Sequence, residues 1–291
     1  MNKINEFIEY LKNEKRYSLN TVKSYKRDLN DFSSFLIKES LDIVDELTIK
    51  SYLAHLYVSK LSKKTVARRI SSLKSYYKFK EKKYNHKTTF LKDIKSPKKD
   101  KLLPDMIYND ELKKVLEYNP TGLFSYRNKA IVSLLYSSGI RVSELCNITI
   151  ESIDLENRYL IVKGKGNKTR VCPFSKTTKK AIEEYIHFER NNLAKSDNNY
   201  LLINKYGGSL STRAVETIIK NISIKLFGNT KLHPHIFRHT YATTLLNNGA
   251  DLRTVQELLG HSSLITTQIY THLAKEEINK IYKNSHPRNE Y

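Results

Sequence analysis

Apolar side chains recur at three- and four-residue intervals through the first ninety positions, the spacing that lines one face of an α-helix. Ile4, Phe7, Ile8 and Leu11 make the first stripe. Val22, Tyr25, Leu29, Phe32 and Leu36 make the second, behind Ser18 and Asn20 as capping residues. Thr48 is placed to cap a third helix carrying Ile49, Tyr52, Leu53 and Leu56, and Ser62 a fourth carrying Val66, Ile70, Leu73 and Tyr77. The stretch Lys95–Pro104 is polar, bounded by prolines and without apolar periodicity, so it reads as a linker. Two domains follow: residues 1–94, helical, and residues 105–291. The second opens with helices, including Arg127 to Ser137 and, past a turn at Gly139, another from about Ser143. There the period changes from helical to alternating. Arg158–Val162 and Thr169–Pro173 flank the glycine- and lysine-bearing Lys163–Lys168, which predicts an antiparallel hairpin. Helical patterns return over Thr177–Leu193, Ser211–Phe227, Pro234–Asn247 and Asp251–Leu259, and no repeat of 20 to 50 residues is present. The predicted fold class is mainly α, in two domains, with one small antiparallel β element.

Charge adds a partner class to this outline. The 291 residues carry 51 Lys and Arg against 30 Asp and Glu, a formal net charge of +21, which points to an anionic polymer and first of all to nucleic acid. Residues 60 to 99 concentrate it, with 15 basic residues against Glu81 and Asp93. In the fourth helix Val66, Ile70 and Leu73 face a core, while Lys63, Arg68, Arg69 and Lys74 lie mainly off that stripe, where either a phosphate backbone or solvent can meet them. No run of about 18 apolar residues and no apolar leader behind Met1 is found, so a cytoplasmic location is expected. Cys146 and Cys172 are too few for a disulfide framework and lack C-x-x-C zinc spacing, which fits a reducing compartment.

Four short segments of the second domain carry residues suited to a phosphate. In Ser137–Leu145, Arg141 follows a glycine turn and starts a helix, so its guanidinium can fork onto two oxygens or serve an ordinary ion pair. The hairpin turn offers Lys165 and Lys168, but Gly164–Thr169 lacks the G-x-x-x-x-G-K-[ST] spacing of a nucleotide-binding loop. In His233–Thr240, His235 and Arg238 are three apart and share a helix face. His235 and His239 have the H-x-x-x-H spacing of zinc helices, yet the glutamate of H-E-x-x-H is missing, and no metal is expected. The last segment runs from Leu259-Gly260-His261 to Tyr270; a lone tyrosine among 20 belongs by default in a core.

Taken together, the four segments resemble the tyrosine recombinases, and within them the Xer subgroup of site-specific recombinases, over essentially the whole chain. The segment of Arg141 resembles the family's T-G-[LM]-R-x-S-E-L, the turn of Lys165 its G-K-G-N-K, His235–His239 its H-x-L-R-H, and Leu259–Tyr270 its L-G-H-x-x-x-x-T-T-x-x-Y; Ser285–Arg288 is similar to the Xer tail. Ser138, Ile140 and Phe237 depart from the pattern only at positions expected to pack. The resemblance implies a four-helix SAM-like core-binding domain followed by a catalytic domain. It makes Tyr270 the nucleophile that forms a 3′-phosphotyrosine. Arg141 and Arg238 would stabilise the added negative charge, aided by His261. A phenol of pKa about 10 needs a base, for which His235 is the candidate; Lys165, with Lys168 as fallback, is the expected acid for the leaving 5′-oxygen. Religation uses the conserved phosphodiester energy, so no cofactor, metal or ATP is expected. The implied partners are duplex DNA with an inverted-arm site, a homo- or hetero-tetramer exchanging the helix after Glu276, and the FtsK translocase. The implied task is chromosome-dimer resolution at a dif-like site. Action on a mobile element, a type IB topoisomerase and a non-catalytic DNA-binding regulator are the alternatives.

Overall fold

The computed structural model describes residues 2–41, 44–85, 94, 97, 106–164, 169–195 and 198–260. The chain divides into two compact units between Leu102 and Leu103.

The first unit contains α1 (Asn2–Asn13), α2 (Leu19–Lys38), α3 (Glu46–Val58) and α4 (Lys63–Tyr84). The predicted stripes form its core: Phe7, Leu11, Leu29, Tyr52, Leu56, Ile70 and Tyr77 are all at most 2% exposed. Ser18 and Ser62 cap α2 and α4 through the backbone N–H groups of Thr21 and Thr65. The cap of α3 is Asp45 rather than Thr48. Its carboxylate accepts the Thr48 N–H at 2.8 Å, which places Thr48 inside the first turn and leaves it buried. A carboxylate outcompetes a hydroxyl at this position because it also meets the positive end of the helix dipole.

The second unit is assembled around α6 (Ser125–Ser138), whose residues Ala130–Ser138 are all buried. Before it comes α5 (Asn109–Glu117), and after it α7 (Val142–Cys146) and a 3₁₀ turn at Ile150–Ser152. The sheet has three antiparallel strands in sequence order, β1 (Ile153–Asp154), β2 (Tyr159–Lys163) and β3 (Thr169–Pro173). The predicted hairpin is present, its first strand one residue later than expected, and it pairs Leu160 with Cys172 and Lys163 with Thr169. β1 was not anticipated, since two residues are too short to show an alternation. The run predicted as one helix over Thr177–Leu193 is α8 (Lys176–Tyr185), a π-turn at Ile186–Arg190 and α9 (Asn191–Leu193). Glu189 in that turn accepts the Tyr126 and Arg127 N–H groups at 3.0 and 2.9 Å, so the π-turn supplies a carboxylate to the start of α6. Then come α10 (Thr212–Phe227), α11 (Pro234–Asn247) and α12 (Leu252–Leu259). Proline occupies the first position of α11, where its missing N–H costs nothing. Among the described residues no helix is long and apolar enough to cross a membrane.

Gly139 ends α6 with φ +59°, and a Cβ there would stand 2.4 Å from the Tyr241 ring of α11. Both the left-handed backbone and the close helix approach therefore require glycine. Gly139→Ala is expected to destabilise the protein by about 2–4 kcal/mol, combining left-handed strain with overpacking, as read from urea unfolding midpoints. A change under about 0.5 kcal/mol, the usual effect of a neutral surface substitution, would contradict the packing described.

Candidate active site

Arg141 is the residue from which α7 starts, with extended backbone (φ −75°, ψ 151°). Three residues on, Glu144 turns its carboxylate back to it. Glu144 Oε2 accepts the Arg141 backbone N–H at 2.8 Å, and Oε1 accepts Arg141 Nη1 at 2.8 Å. The same two oxygens receive a second arginine. Arg170 of β3 donates Nη1 to Oε1 at 2.9 Å and Nη2 to Oε2 at 2.8 Å, a two-pronged contact that fixes both planes. The Glu144 and Arg170 side chains are 5% and 8% exposed, whereas a third of Arg141 stays at the surface.

The third arginine closes the arrangement. Arg238 of α11 donates Nη1 to the Gly139 carbonyl at 2.7 Å and Nη2 to the Leu259 carbonyl at 2.5 Å. Arg170 Nε donates to the neighbouring Leu258 carbonyl at 3.0 Å. The carbonyl end of α12, where the helix dipole is negative, thus receives two guanidinium groups at once. A ring of contacts runs from Gly139 to Arg141, Glu144, Arg170, Leu258–Leu259, Arg238 and back. It draws the C-termini of α6 and α12, the start of α7, β3 and α11 to one point. Gly260, at φ +66°, lets the chain leave α12 against Arg170, with a Cβ there standing 3.0 Å from Arg170 Cδ.

The electrostatics follow from this packing. Burial by itself would raise the Glu144 carboxyl, but the hydrogen bonds and charge of Arg170, joined by the contacts of Arg141, bring it down to about 2. Burial, then the positive charges of Arg141 and Arg170, lower Arg238 to about 10, so it remains a cation at neutral pH. Its hold on the Gly139 carbonyl places it against a residue two positions along the chain from Arg141. Cys146 and Cys172 are buried and burial pushes each thiol up to about 11, which keeps them protonated and poorly nucleophilic.

His235 lies in the first turn of α11, one turn before Arg238, and is exposed. The two share a helix side as the spacing predicts, yet Arg238 is 8% exposed, drawn below the surface by its carbonyl partners. Lys165, Lys168, His261 and Tyr270 lie outside the described residues; Lys163 ends β2 and Thr169 begins β3, and Gly260 immediately precedes His261 in the sequence. Among the described residues no group of three or more His, Cys, Asp or Glu side chains is disposed to hold a metal ion. In the first unit, the basic residues of α4 divide. Arg68 pairs with the buried Asp28 of α2, Arg69 with Asp31 at 2.6 Å, and Lys74 donates to the Ile94 carbonyl at 2.7 Å. These three tie the unit together, while Lys63 is exposed at the start of the helix.

Glu144 and Arg170 were not singled out from the sequence. A signal existed for Arg170: hairpin register sets it opposite Val162, which the strand alternation turns to the core, so a buried charge in need of an acid was implied.

This architecture has counterparts. The model of the phage integrase family matches residues 105–277, and that of the phage integrase N-terminal SAM-like domain matches residues 4–83. The tyrosine recombinase XerC of Anoxybacillus flavithermus is 41% identical, over 98% of this chain and 97% of its own. That of Bacillus subtilis is 38% identical, over 97% and 95%. A structure of the XerH site-specific recombinase bound to a palindromic difH substrate, in a post-cleavage complex, aligns with TM-score 0.71 at 25% identity, covering 96% of this chain and 84% of that one. The chain therefore belongs to the phage integrase family, as a Xer-like tyrosine recombinase that cleaves and rejoins DNA strands.

Because the Glu144 carboxyl is lowered from 4.5 to about 2 in the folded protein, its contribution is complete above pH 4.5 and is lost as pH falls toward 2. The shift corresponds to about 3 kcal/mol. The stability difference between wild type and Glu144→Gln, measured by urea unfolding, is expected to be near that size at pH 7 and to shrink steadily between pH 4.5 and pH 2. A difference independent of pH would contradict the charged pairing.

Proposed function

We propose that this recombinase acts at a specific site in duplex DNA through a covalent 3′-phosphotyrosine on Tyr270, with Arg141, Lys165, His235, Arg238 and His261 completing the catalytic set. The observation that carries the reading is the set of hydrogen bonds that ties Arg141 to Glu144 and Arg238 to the Gly139 carbonyl, two residues before Arg141. In-line attack adds negative charge to the non-bridging oxygens, and two fixed guanidinium groups stabilise it without rearranging. The Tyr270 hydroxyl passes its proton to His235 as the O–P bond forms. The bond to the 5′-oxygen breaks, and that oxygen takes a proton from Lys165, or from Lys168. Religation runs the same steps backward, so neither ATP nor a metal ion is consumed.

Residues 1–94 serve as the core-binding domain, 95–104 as the linker and 105–291 as the catalytic domain. Lys63, Arg68, Arg69 and Lys74 of α4 are the phosphate contacts of this domain, and Lys63 sits at the positive end of the α4 dipole, where a phosphate is also favoured. The identity to XerC proteins along almost the full length supports a site with inverted arms bound by four protomers in the cytoplasm, chromosome-dimer resolution at a dif-like sequence, and activation by FtsK.

The test uses nicked suicide duplexes carrying chromosomal inverted-arm sequences. Wild type is expected to give a covalent protein–DNA adduct in EDTA without nucleotide, and Tyr270→Phe none; an adduct surviving in the variant would overturn the assignment. Lys63→Gln is expected to reduce the slope of log affinity against log salt by about 0.9, the loss of one phosphate contact, in fluorescence-anisotropy titrations. An unchanged slope removes Lys63 from the interface.

A further inference from the structure

We propose that Arg170 is a positioning residue for strand cleavage, acting through Glu144 on Arg141 and through the Leu258 carbonyl on the end of α12. It rests on the reading above of Arg141 as a phosphate-stabilising residue. Arg170 itself is buried and donates to both Glu144 oxygens and to the Leu258 carbonyl, all inside the protein. A buried ion pair of this kind is a weak source of stability, because desolvating two charges consumes most of what their attraction returns. Its geometry does something packing alone does not. Arg141 is one-third exposed, and the Glu144 carboxylate is its ion-pair partner. A carboxylate free to rotate would let the guanidinium swing. Arg170 grips both oxygens at 2.8–2.9 Å and so fixes the plane against which Arg141 is set.

The second arm of Arg170 reaches the other half of the ring. Its Nε holds Leu258 O while Arg238 holds Leu259 O, so the end of α12 is tied directly to Arg238 and, through Arg170 and Glu144, to Arg141. Gly260 allows this approach, since a side chain there would press on Arg170 Cδ and Nη1 at 3.0 and 3.1 Å. Lysine keeps the charge of Arg170 but cannot hold two carboxylate oxygens and a carbonyl at once.

Two variants separate positioning from folding. The pair Glu144→Leu with Arg170→Met removes both buried charges together and is expected to stay folded, as apolar replacements of buried ion pairs do. Arg170→Lys retains the charge and loses the geometry. The probes are the nicked duplex on which wild type forms its adduct, and the same duplex with a methylphosphonate at the scissile position, which has no charge for Arg141 to neutralise. Both variants are expected to bind the duplex with unchanged Kd and to cleave the phosphate about 100-fold more slowly, the scale of an ångström misplacement. On the methylphosphonate the deficit is expected to shrink by about tenfold, because the lost electrostatic stabilisation is no longer needed there. A folded variant that cleaves the phosphate at the wild-type rate, or equal deficits on both substrates, overturns the proposal alone. Absence of an adduct from wild type overturns the catalytic reading, and this inference with it. Should the double variant fail to fold, Arg170→Lys decides by the same two criteria.

Discussion

A buried carboxylate tolerates its charge only when its oxygens are satisfied, and Glu144 has four donors on two oxygens: the backbone N–H and Nη1 of Arg141, and Nη1 and Nη2 of Arg170. The catalytic half of the protein is organised by that requirement. The donors come from two residues, one at the start of α7 and one on β3, so the condition is met only when both elements are in place, and Arg170 is held in turn by the Leu258 carbonyl of α12. Burial of the pair against Cys172 and the neighbouring helices excludes water that would otherwise loosen it. Three arginines crowded around one acid would repel each other if the acid were protonated. Its depressed pKa is therefore part of the same constraint rather than a by-product of it.

The helix ends extend the principle. Gly139 and Gly260 both take left-handed backbone, and each frees a nearby carbonyl end to meet a guanidinium: Gly139 O meets Arg238, and the Leu258 and Leu259 carbonyls meet Arg170 and Arg238. Groups that a helix leaves without partners are thus used to fix two guanidinium groups. α6 supplies the rigid base for this, being buried over Ala130–Ser138 and fixed at its start by Glu189 of the π-turn. For the proposed mechanism this matters, because electrostatic stabilisation of a transition state is most effective when the cations are fixed in advance.

Much of this was legible in the sequence wherever the signal was local. Stripes such as Val66, Ile70 and Leu73 marked helices because their spacing reports a buried face, and two alternating runs around glycines marked the hairpin, its strands Tyr159–Lys163 and Thr169–Pro173 lying within a residue of the expected bounds. The Asp45 cap was missed because Thr48 is also a good capping residue, and only the backbone shows which of them stands outside the first turn. The π-turn at Ile186–Arg190 leaves no mark on an apolar stripe that simply continues. At the site, Arg141 and Arg238 were found through motifs that place them beside a glycine turn and on a helix face. Glu144 and Arg170 were not, because their meaning is a contact across 26 residues that periodicity does not encode. Arg68 and Arg69 show the same limit: they lie off the core stripe, and their pairing with acids on α2 is a contact that the stripe does not encode.

The central claim is that the Glu144-centred ring presents Arg141 and Arg238 to one phosphate. A crystal structure of the Tyr270→Phe protein on its duplex tests it most directly. The account requires the scissile phosphate's non-bridging oxygens to lie within hydrogen-bond distance of guanidinium nitrogens from both Arg141 and Arg238, with Arg170 still holding both oxygens of Glu144. A phosphate met by only one of these arginines, or an Arg170 released from Glu144 when DNA is bound, would contradict it.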